Sequence, residues 1–153
     1  HPGPDLDRVI EGVAIGAMMA KEEIAASLTP GKHASTFGGN CLACAAGIAV
    51  IEAIEEDNLL QNAAELGKYA RDRLLQLKDD HSIIEGVRGI GLMIGVQLTK
   101  PGKEIVDKCL EKGLRINCTN ETVLRLMPPM IVTKDQIDQA VDILDAVLSE
   151  GGK

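Results

Sequence analysis

Aromatic side chains are nearly absent from this 153-residue chain, which has no tryptophan, one tyrosine (Tyr69) and one phenylalanine (Phe37). Proteins that bind single-stranded nucleic acid stack the bases on aromatic rings, so this class of function is nearly excluded. Lys and Arg number 16 against 23 Asp and Glu, a net charge of −7, which argues against a protein that binds the phosphate backbone. With so few aromatic rings, the core must be aliphatic.

Long apolar runs and a secretion signal are also missing. No apolar segment reaches the roughly 18–20 residues of a membrane span, and no signal-peptide pattern opens the sequence. The four cysteines are too few for a dense disulfide framework in a chain of this length. We therefore expect a reduced, cytoplasmic protein with no membrane or nucleic-acid partner.

Two of the cysteines, Cys41 and Cys44, form an isolated Cys-x-x-Cys pair. There is no second pair, and the histidines do not complete a zinc pattern, so no metal site is expected. The favoured interpretation is two small buried thiols. A redox motif at the start of a helix is the alternative.

Alternating strand and helix signals in the second half predict an α/β or α+β fold in which helices pack on a small sheet. Amphipathic steps of three and four residues mark the helices. The predicted helices span about 21–28, 41–56, 59–78 and 101–112, with a last helix that ends at Gly151. The predicted strands span 13–19, 83–87, 92–98, 114–117 and 123–127.

Side chains that cap helices give the predicted boundaries. Asn40 and Asn58 are each predicted to cap the helix that follows. Thr133 and Gln136 have the spacing of a capping box for the last helix. A change from small, glycine-rich sequence to ordinary amphipathic helices places a soft domain boundary near residue 57.

The loop of residues 31–40, GKHASTFGGN, is the first candidate site. It brings the hydroxyls of Ser35 and Thr36 and two glycines together just before a helix N-terminus. Hydroxyl donors, bare backbone amides and the positive end of a helix suit an anion. From the pattern alone, a helix-capping turn with glycines for tight geometry is the favoured interpretation.

Arg125 is the second candidate, because it lies within the apolar segment 123–127 just before two prolines. Strand alternation puts it on one face with Val123 and Met127. A buried unpaired charge is costly, so we expect a partner such as a carboxylate, which the planar guanidinium binds through two hydrogen bonds. The alternative is an arginine on an edge strand that reaches water.

Arg88 begins the sequence Arg-Gly-Ile-Gly-Leu between two predicted strands. This glycine-rich segment predicts a tight turn, with Arg88 solvated.

Residues 29–46, TPGKHASTFGGNCLACAA, resemble a signature of class III aminotransferases, which are pyridoxal-phosphate (PLP) enzymes. The acetylornithine and ornithine aminotransferase group is the most similar. Further segments match the family in order over about 12–148: GAMMAKEE, EDNL, VRGIGLMIGV, GLRINCT and VLRLMPPMIV.

The resemblance implies the C-terminal portion of a fold-type I transferase. Residues 1–11 would be an engineered edge or a replaced segment. Residues 12–57 would be a strand-helix-loop remnant of the large cofactor domain with the connecting helix, and 58–153 the small C-terminal domain.

The resemblance also implies roles for three residues. Ser35 and Thr36 would reach the PLP phosphate of the neighbouring subunit in a dimer, and Arg125 would help to hold the substrate carboxylate. The complete enzyme would transfer an amino group between an N-acetylornithine-like donor and 2-oxoglutarate in arginine biosynthesis.

One departure from the family concerns the lysine that forms the Schiff base. Aligned on Val13, Ile15 and Gly16, this sequence has Asp7 at that position. The nearby Lys21 and Lys32 lie off the motif. A transaminase needs an amine nucleophile and a cofactor held in place. We therefore expect the isolated chain to bind no PLP, to have no catalytic residue of its own and to be inactive.

Two other functions stay open at this point. The chain could be a structural domain that self-associates without catalysis, with the small-residue helix 41–56 as its interface. Less favoured is a redox protein that uses Cys41 and Cys44.

Overall fold

Five helices and four strands account for the regular structure in residues 15–16, 19–34 and 36–150, the part of the chain that this computed structural model describes. The chain divides into two compact units, His1–Asp57 and Asn58–Lys153. The first unit contains α1 (Glu22–Ala25) and α2 (Cys41–Glu56). The second contains α3 (Leu59–Asp80), β1 (Ile84–Ile90), β2 (Met93–Leu98), α4 (Lys103–Glu111), β3 (Asn117–Thr119), β4 (Val123–Leu126) and α5 (Lys134–Glu150).

In the first unit, α2 begins where the sequence predicts. The Oδ1 atom of Asn40 accepts a hydrogen bond of 3.1 Å from the backbone N–H of Ala43, so Asn40 is the predicted cap. The short helix α1 is only four residues long, half of the length predicted. Of the strand predicted at 13–19, the structure describes Ile15, Gly16 and Met19, which lie in no strand, and the other residues are outside the described part.

In the second unit, a four-stranded antiparallel sheet with the order β1-β2-β4-β3 is covered by helices on one face. Side chains alternate between the two faces of a strand. Accordingly Ile94 and Val96 of β2 and Leu124 of β4 are almost fully buried against Leu74 of α3 and Leu144 of α5. This aliphatic core and the mixed helix-and-sheet architecture confirm the predicted fold class.

The other face of the sheet, which we call the open face, carries no described helix of the second unit. Paired positions in the ladders identify its members. They are Gly86, Arg88 and Ile90 of β1, Met93, Gly95 and Gln97 of β2, Val123 and Arg125 of β4, and Asn117 and Thr119 of β3. The side chains of Ile90 and Met93 are 82% and 56% exposed on this face.

Asn58 occupies the predicted N-cap position before α3, but its side chain does not cap the helix as predicted. Asn58 has the left-handed conformation (φ 53°, ψ 37°), and its side chain makes no capping hydrogen bond. A capping residue normally has extended backbone angles. Asn58 lies in the two-residue connection between α2 and α3, and asparagine tolerates the left-handed conformation better than most residues.

The strand predicted at 114–117 is also wrong, because β3 comprises residues 117–119. The last pair in its ladder is Asn117 with Arg125 of β4. Beyond Arg125 the partner strand soon reaches Pro128 and Pro129. Continued in the same register, the ladder would place Leu114 opposite Pro128, and proline has no N–H to donate.

The capping box of the last helix is confirmed. The backbone N–H of Thr133 donates to Oε1 of Gln136 at 2.9 Å, and the backbone N–H of Gln136 donates to Oγ1 of Thr133 at 3.3 Å. The box fixes the start of α5.

Candidate functional site

The loop before α2 forms a turn over residues 36–39. The N–H of Asn40 donates to the carbonyl oxygen of Phe37 at 3.2 Å, and Gly39 has a positive φ of 70°. Thr36 is exposed at this turn, while Ser35 lies outside the described residues. The first N–H groups of a helix have no partner within the helix. The exposed hydroxyl and the helix start therefore offer hydrogen-bond donors that fit a phosphate group.

The lysines in the described part of the same unit are Lys21 and Lys32. Asp7, at the position of the family lysine, lies outside the described residues. Lys32 donates from Nζ to the carbonyl oxygen of Ser27 at 3.3 Å. Lys21 is the residue just before α1. The turn before α2 fits the phosphate of PLP, while the replacement of the Schiff-base lysine by Asp7 stays a prediction from the sequence.

In the second unit, Arg125 lies on the open face in β4, between β2 and β3. The alternative of an edge strand is therefore wrong. The guanidinium is exposed, and its Nε donates to Oδ1 of Asn117 at 3.1 Å. No carboxylate in the described part of the chain lies within ion-pair distance of it. The expectation of a carboxylate partner is therefore wrong. The partner is the neutral amide of Asn117, which leaves the charge of Arg125 available to a ligand.

Arg88 lies on the same face, within β1 rather than in a turn. The strand continues to Ile90, and the two-residue turn consists of Gly91 and Leu92. Arg88 is exposed, as predicted, and its Nη1 donates to Oε1 of Gln97 at 3.3 Å.

A glycine separates the two arginines in the sheet. Gly95 of β2 pairs with Arg88 on one side and with Arg125 on the other. The buried positions Ile94 and Val96 could have indicated from the sequence that Gly95 faces away from the core. Its position between the arginines depends on the strand register and was not predicted.

Two contacts with α3 hold the strands that carry the arginines. Arg71 donates from Nη1 to the carbonyl oxygen of Gly91, at 3.1 Å, in the hairpin that follows Arg88. Asn62 donates from Nδ2 to the carbonyl oxygens of Met130 (2.7 Å) and Val132 (3.2 Å), in the segment that follows β4. These bonds fix the chain just beyond each arginine-bearing strand.

All four cysteines are free thiols. Cys41 is exposed and Cys44 is half-buried, so the expectation of two buried thiols is wrong for Cys41, which occupies the first turn of α2. Burial raises the pKa of the Cys109 thiol in the second unit. Among the described residues, no group of three or more His, Cys, Asp or Glu side chains is placed to hold a metal ion. Nor does any described helix have the length and apolar character needed to cross a membrane.

Comparison with known proteins identifies the family to which this architecture belongs. A sequence model described as Aminotransferase class-III matches residues 9–148. The chain therefore belongs to the class-III aminotransferase family, whose members depend on PLP.

Individual relatives agree with this assignment. The chain is 48% identical over 152 residues to an acetylornithine aminotransferase of Caldanaerobacter subterraneus, with 96% of this chain and 38% of the relative aligned. The crystal structure of an acetylornithine aminotransferase from Elizabethkingia anophelis superposes with a TM-score of 0.81 at 30% identity, covering 86% of this chain and 36% of that one.

A third similar protein is the ornithine aminotransferase of Toxoplasma gondii, whose structure is described as showing partial occupancy of PLP at its active site. The TM-score is 0.80 at 30% identity, over 85% of this chain and 32% of that one. The present chain thus spans about a third of the length of these relatives.

Proposed function

We propose that this chain is the C-terminal portion of an acetylornithine-type aminotransferase. In the complete enzyme, the amino group of an N-acetylornithine-like donor would pass to 2-oxoglutarate, as a cytoplasmic step of arginine biosynthesis. The observation that carries the proposal is Arg125, a cation on the open face without a carboxylate partner in the described structure, in a chain of this family.

Arg125 is the proposed substrate-binding residue. Its planar guanidinium matches a carboxylate with two parallel hydrogen bonds. The bond from Nε to Oδ1 of Asn117 uses one N–H and restrains the side chain. Because the group is already ordered and its charge is unopposed, a substrate carboxylate replaces water rather than a competing acidic side chain.

Ser35 and Thr36 are the proposed phosphate-binding residues, reaching the PLP of the neighbouring subunit in a homodimer. The exposed turn before α2 supports this role for Thr36, and Ser35 is proposed from the sequence alone. When bound, PLP supplies an electron sink, and the two hydroxyls with the amides at the start of α2 would hold its phosphate.

The isolated chain is proposed to be inactive, because Asp7 cannot supply the amine that the family motif places there. The test is to add PLP, N-acetylornithine and 2-oxoglutarate to the purified chain, then measure glutamate formation and the absorbance of a lysine-linked cofactor. We expect neither signal. Steady turnover with a lysine-linked cofactor would contradict the inactive-fragment proposal.

A direct test of Arg125 does not depend on turnover. Titration with N-acetylornithine should shift the backbone amide resonances around Arg125 in the NMR spectrum of the chain, and Arg125→Gln should abolish the shift. Lys68→Gln removes the same charge from the exposed surface of α3 and is the matched control. An unchanged response of Arg125→Gln would contradict the assigned role.

A second candidate function is self-association without catalysis, through α2. Ile48 and Ile51 are neighbours on the surface of this helix and are 58% and 60% exposed. Sedimentation should show a dimer that the double substitution Ile48→Gln and Ile51→Gln dissociates. Leu60→Gln, at an exposed leucine of α3, should leave it intact. A monomer at high concentration would contradict this candidate.

A further inference from the structure

A pocket of about 480 Å³ lies in the second unit, on the core side of the sheet. It is found where β3 and β4 separate, between the segment that precedes β3 and the segment that follows β4. Continued pairing of these strands would place Arg115 opposite Met127, but no backbone hydrogen bond joins these two residues. Both residues line the pocket, so it occupies the space between the separated segments, and α3 and α5 supply the remaining wall.

The interior of this pocket is aliphatic. Leu74 of α3, Ile94 of β2 and Val141 of α5 form part of its wall, and each is no more than 2% exposed. Ala70 and Ala140 also line it, and their small side chains leave room between the helices and the sheet. Ligand pockets in proteins have volumes of about 300–1,000 Å³ and a mostly apolar lining. The volume and the lining therefore suit a small molecule with a hydrocarbon body.

Arg115 is the one charged residue among the described residues that line the pocket. It is exposed, and it forms no ion pair with a carboxylate of the described residues, although the chain has a net charge of −7. Gln136 is a second exposed polar residue of the lining. Its Oε1 accepts from the N–H of Thr133, so its NH₂ group has the hydrogens to donate. The exposed side of the pocket thus offers donors and a positive charge.

These features determine the chemistry of a matching ligand. A small inorganic anion would pair with Arg115 and leave the aliphatic wall unused. A ligand with an ammonium group would find no acidic partner among the described lining residues. A hydrocarbon chain that ends in one carboxylate uses both parts, because the guanidinium binds a carboxylate through two parallel hydrogen bonds and the chain is removed from water.

We propose that this pocket binds a straight-chain monocarboxylate of medium length, such as octanoate. Its carboxylate lies at Arg115, and its hydrocarbon chain extends along Leu74, Ile94 and Val141. Arg125 lies on the open face, on the other side of the sheet, so this site and the proposed function are tested separately.

Ligands of increasing length test the burial of the hydrocarbon chain. The complete chain of 153 residues is titrated with butanoate, hexanoate and octanoate and followed by NMR. The affinity should rise by about three- to fourfold for each added methylene group, the factor that corresponds to full burial of that group. The methyl resonances of Leu74, Ile94 and Val141 should shift. An affinity that does not depend on ligand length would overturn the proposal.

A substitution inside the pocket locates the site. Ala140→Leu places a larger side chain in the pocket and should abolish the binding of octanoate. Ala146→Leu makes the same change at an exposed position of α5 and should bind octanoate like the original chain. Undiminished binding by a folded Ala140→Leu variant would overturn the assignment to this pocket. If Ala140→Leu does not fold, the charge test decides.

The charge test compares octanoate with 1-octanol, which has the same chain length and no charge. Arg115→Gln should weaken octanoate binding by about two- to fivefold, the effect expected for one exposed charge pair, and leave 1-octanol binding unchanged. Arg88→Gln is the matched control, at an exposed arginine of β1 on the open face, and should change neither affinity. Equal effects of Arg115→Gln on the two ligands, or none on octanoate, would overturn the carboxylate assignment.

Discussion

Gly67 of α3 lies directly against the main chain of Gly91 in the β1–β2 hairpin. A Cβ atom on Gly67 would be 2.1 Å from the carbonyl oxygen of Gly91, which is far inside van der Waals contact. The same carbonyl accepts the hydrogen bond from Arg71. The helix and the hairpin therefore meet backbone to backbone, and this contact fixes the strand that carries Arg88.

Gly67→Ala should destabilise the second unit. Alanine is about 1 kcal/mol better than glycine in an exposed helix interior, but the new methyl group would overlap a carbonyl that cannot move without displacing the hairpin. We expect a net loss of about 1–3 kcal/mol, measured by urea unfolding. Ala64→Gly, at an exposed position of the same helix, reports the propensity alone. A gain in stability for Gly67→Ala would contradict the close packing.

Local signals in the sequence predicted the elements that local interactions determine. The cap at Asn40 and the box formed by Thr133 and Gln136 each join residues three apart. Such contacts form within one helical turn, so the sequence contains all the information needed to place them.

Contacts between distant segments could not be placed in this way. Asparagine is a residue type that often caps helices. In the short connection before α3, however, Asn58 has the left-handed conformation and its side chain makes no capping hydrogen bond. The row formed by Arg88, Gly95 and Arg125 depends on the register of three strands. Register follows from the whole sheet and its core, so the residues were recognised singly and their juxtaposition was not.

Asn62 should be important for the segment that follows β4. Its Nδ2 group donates to the carbonyl oxygens of both Met130 and Val132. Asn62→Asp has the same shape but no N–H donor as a carboxylate, and it places a negative charge beside two carbonyl oxygens. We expect a loss of about 1–3 kcal/mol in unfolding free energy, with faster hydrogen exchange around residue 132.

The same amide-to-acid change at Gln76, an exposed residue of α3, is the control and should change stability little. If Asn62→Asp and Gln76→Glu behave alike, the two hydrogen bonds of Asn62 do not hold the segment.

Asp138 of α5 should contribute more to stability than its neighbour Asp142. Oδ1 of Asp138 accepts a 2.5 Å hydrogen bond from the hydroxyl of Tyr69 and another from Arg73, both in α3. The hydrogen bond with Tyr69, followed by the charge of Asp138, raises the pKa of Arg73. Asp142 is more exposed than Asp138, and its Oδ1 makes a longer contact of 3.4 Å with Nη2 of Arg73.

We expect Asp138→Ala to cost about 1–2 kcal/mol and Asp142→Ala less than about 0.5 kcal/mol in chemical denaturation. Tyr69→Phe should cost less in the Asp138→Ala background than in the original chain, because the hydroxyl has already lost its acceptor. Additive effects of the two substitutions would show that this pair is not coupled.

Cys109 should make the second unit less stable at alkaline pH. The thiol is fully buried in the core, and burial raises its pKa above that of the unfolded chain. Its contribution is therefore complete below the unfolded thiol pKa of about 8.5 and is lost as the pH rises through the folded value, because only the unfolded state releases the proton. Cys109→Ala lacks this proton release.

The stability difference between the original chain and Cys109→Ala should thus shrink with rising pH, by at most about 1.4 kcal/mol per pH unit. Urea unfolding from about pH 7.5 to 9.5 covers the transition of the unfolded thiol. Cys41→Ala, at an exposed thiol, should keep the pH dependence of the original chain. Parallel curves for the original chain and Cys109→Ala would mean that the thiol ionises equally in the folded and unfolded states. That result would contradict the prediction.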